Sequence, residues 1–239
     1  MIYGKHLSSD VVDKLHENGI KLNIEKKGDF MIYRREGGFP EECVEKLIHG
    51  FEKSNIMIYP IHSIQMEVST HLLLRLSRPL IVAPRSKLAI YVKAPISVGI
   101  YVVEEEAQKL IDLFGFATYK YALYGTAASG VICRFHRTDV FLEAPQPELW
   151  EAVTKVSIEN MSRGFVEIKN IVYPLLRANV YVDDFGRAYI EAAHLSISKS
   201  NRASVVLRGE PPLDGLRKCP QPFAKLLEKA GKFTMEFGL

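Results

Sequence analysis

The chain has 239 residues, 47% of them hydrophobic and 25% charged, which is the balance of an ordinary soluble globular protein with ample apolar surface to bury a core. Its 31 Lys and Arg against 28 Asp and Glu leave a formal net charge of +3, too small to name a partner by itself. Charge-free runs such as Tyr121 to Cys133 fall short of the roughly 20 apolar residues a spanning helix needs, so no membrane span is expected.

Along the chain, residues 8–18 (SSDVVDKLHEN) read as a short helix, and IKLNIEKKGDFMIYRRE alternates apolar and polar around KKGD as a β-hairpin does. FPEECVEKLIHGF predicts a helix over 40–50: Pro40 suits a first turn, Glu41 and Glu42 the positive end of the dipole, and Gly50 the C-terminal cap. From Ile56 the runs IMIYPIHSIQMEV, THLLLRL, PLIVA, KLAIYVK and SVGIYVV predict strands, with prolines 60, 79, 84 and 95 between or at the ends of runs. EEEAQKLIDLFG reads as a helix from its acidic start and its Ala107, Leu110, Ile111, Phe114 spacing. ATYKYALY, GVICRFH and DVFLEA return to strand.

EAPQPELW marks a domain boundary, and KVSIENMSRGFVEIKNIVYP after it resembles a hairpin around Ser162-Arg163-Gly164, much as immunoglobulin-like sandwiches begin. RANVYVD, AYIEAAHLSIS and ASVVLR continue as strands, and PQPFAKLLEKAGKF predicts a terminal helix over 222–230. The expected fold class is mainly β: two sandwich-like antiparallel β modules with a few short helices. The first spans 1–144, with the hairpin and the helix 40–50; the second is an immunoglobulin-like module over 145–239 with its terminal helix.

The motifs of chemistry fail on spacing or on local structure. GTAASG, residues 125–130, has the glycine spacing of a phosphate-binding loop, but Gly130 is followed by Val131, Ile132 and Cys133 where Lys and Ser/Thr would be needed. A hairpin tip explains it better. Cys133 and His136 stand three apart on a predicted strand and so face opposite ways, unable to share a metal ion. No GxSxG elbow, HxH, HxxxH or HExxH spacing occurs. Asp183 and Asp184 read as a turn closed by Gly186, and Glu104 to Glu106 as a helix start. No cofactor and no metal site is expected. The three cysteines form no CxxC pair and no disulfide framework, and MIYGKHLSSD lacks a secretion signal's apolar core, so a reducing cytoplasm is the expected location.

One pattern survives. No Asp or Glu occurs from Val68 to Val103 or from Leu113 to Thr138, while Arg and Lys recur, interleaved in the second stretch with Tyr119, Tyr121 and Tyr124. A sheet so charged can present a basic face to phosphates, with tyrosines for stacking; the plain alternative is charge guarding strand edges. The candidate binding residues are Arg85, Lys87, Lys120, Tyr124, Arg134 and Arg137.

KYALYG at 120–125, GVICR at 130–134, the VGIYV and LIDLFG segments and VYPL at 172–175 resemble a mainly archaeal family, domain of unknown function 432. That resemblance implies a recurring architecture and an archaeal origin and supplies no catalytic residue. The leading expectation is a cytoplasmic, non-catalytic binding or scaffold protein acting on a protein or an anionic ligand. The alternatives are nucleic-acid or ribosome association through the basic tyrosine-bearing surface, an enzyme with a loop-built site, and a homo-oligomer joined through strand edges.

Overall fold

In the computed structural model the described residues are 2–50, 54–62, 68–105, 107–116, 118–175, 178–199, 202–220 and 232–239. The N-terminal part carries β1 (Lys5–His6), α1 (Ser9–Glu17), β2 (Lys21–Lys27), β3 (Phe30–Glu36), β4 (Cys43–His49) and β5 (Asn55–Ile61). The middle carries β6 (His71–Val82), β7 (Lys87–Pro95), β8 (Ser97–Glu104), β9 (Ala107–Phe114), β10 (Lys120–Tyr124) and β11 (Val131–Thr138). Then follow β12 (Glu151–Asn160), β13 (Val166–Pro174), β14 (Val180–Val182), β15 (Ala188–Ile190), β16 (Ala193–Lys199), β17 (Arg202–Leu207), β18 (Arg217–Lys218) and β19 (Lys232–Met235). The protein is mainly β, as its runs of β-branched and aromatic residues predict. No helix among the described residues is long and apolar enough to cross a membrane.

Four sheets form. Their orders are β1-β5-β8-β9, β10-β11-β6-β13, β2-β3-β4, and an eight-stranded sheet in which β12 pairs with β7 as well as with β15 and β16. Pairing is mostly antiparallel, but β11 runs parallel to β6, and β12 parallel to β15 and to β16.

The centre of the molecule is a pair of crossings between two sheets. β6 lies in one sheet and β7 in the next; β12 and β13 repeat that step in reverse, so β7 pairs with β12 while β6 pairs with β13. Backbone ladders therefore join strands on both sides of residue 144. On β12 the even positions Ala152, Val156 and Ile158 face the main core beside Ile90, Val92 and Ala94 of β7, while Val153 turns to a smaller cluster with Tyr181 and Tyr189. This is the period-two alternation of a strand with apolar contacts on both faces.

Several predicted elements are corrected. The helix expected over 40–50 is strand β4, which pairs with β3 from Glu36↔Cys43 to Phe30↔His49. The stripe Val44, Leu47, Ile48 fits a helix, but β3 offers an open edge, and on a strand Val44 is buried while Leu47 is 65% exposed. The run after Glu104 to Glu106 is likewise strand β9, paired with β8. The segments flanking Ser162-Arg163-Gly164 are not a hairpin: β12 and β13 belong to different sheets.

The helix over 9–17 and the KKGD hairpin are present. THLLLRL and PLIVA fuse into the one strand β6, with Pro79 in the stretch where its register against β13 shifts, so its missing N–H interrupts no regular ladder. The helix predicted over 222–230 lies outside the described residues.

Candidate functional site

The hairpin β10–β11 organises the site. Its register sets Lys120 against Phe135, Tyr121 against Arg134 and Tyr124 against Val131. The tip is a turn: the Gly130 N–H donates to the Thr126 carbonyl at 2.6 Å, and Gly125 has φ +114°. A Cβ on Gly125 would meet the Gly130 Cα at 2.8 Å, and one on Gly130 the Thr126 carbonyl at 2.5 Å. The glycines serve chain geometry. The Cys133 thiol is buried, which pushes its pKa up to about 12, and alternation sends it to the face opposite His136. Among the described residues no group of three His, Cys, Asp or Glu could hold a metal ion.

The six candidate residues separate. Lys120, with Phe135 opposite it and Arg137 two further on, occupies one face of the hairpin. Arg134 occupies the other face, where it is buried; its guanidinium lies 5.0 Å from the Tyr119 ring centre and donates to the Ser69 carbonyl at 3.4 Å, and desolvation lowers its pKa. Tyr124 is also buried: its ring packs edge-on against Phe233 and Phe237, and its hydroxyl donates to the Gly238 carbonyl at 2.7 Å. It fastens the C-terminal segment to the hairpin. Arg85 and Lys87 are exposed around the β6–β7 turn, with Lys87 paired to Glu159 at 2.9 Å.

Lys120 and Arg137 instead meet at a cleft of about 410 Å³ at the base of the hairpin. Aromatic residues dominate its wall: Phe116, Tyr119, Phe135 and Trp150. Phe116 is 63% exposed and lies 5.6 Å from Trp150 at 31° between ring planes. Trp150 is held from several sides. Its carbonyl accepts from the Ile96 N–H at 3.0 Å, the Leu149 carbonyl accepts from the Tyr3 hydroxyl, and Phe114 meets its ring edge-on at 6.4 Å. Tyr119 is fixed through its hydroxyl and that of Ser97, 2.7 Å apart.

Among the described residues no carboxylate lines the cleft. Glu151, whose charge acts on His136, is engaged by Lys93 at 2.6 Å. Burial lowers the His136 pKa and Glu151 opposes that shift, so the cations of the wall are Lys120 and Arg137. Phe116 and Trp150 were missing from the sequence reading. They lie on either side of the β10–β11 hairpin in sequence, one just past the stretch that reads as a helix and the other in the stretch that reads as a domain boundary, and the contacts of Trp150 with Phe114 and Ile96 help bring them together.

The family model for the family described as protein of unknown function (DUF432) matches residues 2–236, nearly the whole chain. No curated protein and no solved structure matches the chain. The chain belongs to that family, in keeping with the KYALYG and GVICR segments that form the hairpin.

Proposed function

We propose that this member of the family acts by binding, and that its ligand is a single-stranded nucleic acid whose base enters the cleft beside the β10–β11 hairpin. The observation that carries the reading is the exposed Phe116 ring beside Trp150 in a cleft walled also by Lys120 and Arg137 and, among the described residues, by no carboxylate. Bases stack on aromatic faces, with roughly 1–3 kcal/mol per base, and cations beside the ring take the phosphate. About 410 Å³ falls within the range of small-molecule pockets. Nucleophilic and metal chemistry have no comparable support: the Cys133 thiol is held protonated in the core. The free thiols of Cys43, Cys133 and Cys219 suit a reducing cytoplasm, of an archaeal cell on the family resemblance.

Trp150 is the single tryptophan of the chain and sits in the wall of the site, so its fluorescence reports directly on occupancy. Titration with a short uridine oligonucleotide at low salt quenches it in this reading. Phe116→Ala weakens the affinity by roughly tenfold, the lower part of the stacking range, and Lys120→Glu weakens it further. An unchanged emission at every oligonucleotide concentration removes the reading.

A further inference from the structure

Across the sheet β10-β11-β6-β13 one row of side chains has an unusual charge. Arg137 of β11 is the register partner of Arg75 of β6, and Arg75 is the partner of Asn170 of β13. Paired positions project to the same face, so two exposed arginines stand side by side across a parallel ladder. Like charges set directly opposite are destabilising. A nearby carboxylate would offset that, yet among the described residues neither arginine makes an ion pair, and Arg75 donates to the neutral Asn170 Oδ1 at 3.1 Å.

These arginines border a second cleft of about 360 Å³, completed by Ser77, Pro79 and Lys169; Lys169 is paired to Glu167 at 2.9 Å, and among the described residues no carboxylate lines the wall itself. It adjoins the aromatic cleft: Phe135 and Arg137 line both. At the other end, beyond Phe116 and Thr118, a third cleft carries Glu36 and Glu42. A polyanion lying on Phe116 is repelled from the acidic end and drawn towards Arg75.

We infer that the Arg75–Arg137 cleft is a phosphodiester subsite, so that the ligand is a strand longer than one nucleotide running from the aromatic cleft onto β6. This deepens the binding reading above and rests on it. Guanidinium forks match the oxygens of a phosphate in a bidentate manner, and a bound phosphate removes the repulsion between the two arginines.

The test compares uridine monophosphate with a short uridine oligonucleotide, read by Trp150 fluorescence, in the native chain and in Arg75→Gln. Glutamine keeps an amide that can donate to Asn170 and lies outside the aromatic cleft. The expected result is a roughly tenfold loss of oligonucleotide affinity and a salt slope shallower by about 0.7, the value for one single-strand phosphate contact. Monophosphate affinity stays unchanged. The thermal midpoint of ligand-free Arg75→Gln holds or rises, since one of two facing cations is gone, and this separates lost binding from lost folding. Equal loss for both ligands, or no loss for the oligonucleotide, overturns the subsite and leaves the aromatic cleft standing. Failure of both ligands to quench the native chain removes the cleft and the subsite together.

Discussion

His62 sits in the core with its Nε2 2.7 Å from the Ala178 carbonyl and its Nδ1 without a partner among the described residues. Burial holds its pKa down to about 4; the Ala178 contact opposes the shift and Arg134 adds to it. The folded state thus keeps this ring neutral where the unfolded state, near 6.5, takes up a proton. Its contribution is present above pH 6.5 and is lost as the pH falls from 6.5 towards 4, by at most about 1.4 kcal/mol per unit. His62→Gln flattens that part of the curve in urea titrations run across the window; a native slope retained in the variant contradicts the assignment. Burial decides the roles of Tyr124 and Arg134 in the same way. Their residue types are legible in the sequence, but Tyr124 turns inward because Phe233 and Phe237 return to cover it, more than a hundred residues downstream.

At the scale of elements, one side chain joins the two sheet crossings. Asn160 is fully buried at the end of β12; its two Nδ2 hydrogens are shared among the carbonyls of Val82, Ala83 and Gly164, while its Oδ1 accepts from the Ser162 N–H. It thereby ties the β6–β7 turn to the β12–β13 turn. Asn160→Ala leaves these backbone groups short of a partner away from water, and is expected to cost about 2–3 kcal/mol. Chemical denaturation measures this, and a loss under half a kilocalorie, which is about what a surface change costs, contradicts the role. Strand against helix was legible wherever alternation was clean, as in the β2–β3 hairpin and β12. It failed at β4 and β9, whose apolar residues fall at helical spacing; there the open edges of β3 and β8 decided the outcome. The turn at 162–164 was legible as a turn, but whether it joins partners or crosses between sheets depends on β6 and β7, far away in sequence.

Across the whole molecule, the three-stranded sheet β2-β3-β4 is locked to β9 by Arg35 and Asp112, both buried, 2.6 Å apart, with the Tyr33 hydroxyl on the same carboxylate at 2.6 Å. Arg35 also holds the Gly37 and Glu41 carbonyls, shaping the acidic end of the groove. From there the surface passes through the rings at Phe116 and Trp150 to the arginines on β6 and β11. The sequence carried the basic half of this groove, in the acid-free stretches and in Lys120 and Arg137. It did not carry the aromatic half, whose rings come from connections between strands. The central claim, that this groove holds a nucleic-acid strand by phosphate contact as well as by stacking, is tested most directly by the salt dependence of oligonucleotide affinity. With Lys120 on one phosphate and Arg137 and Arg75 clamping the next, log K against log salt should fall with a slope of about −1.4, at about 0.7 for each phosphate neutralised. A slope of zero, or no measurable binding at low salt, contradicts the account.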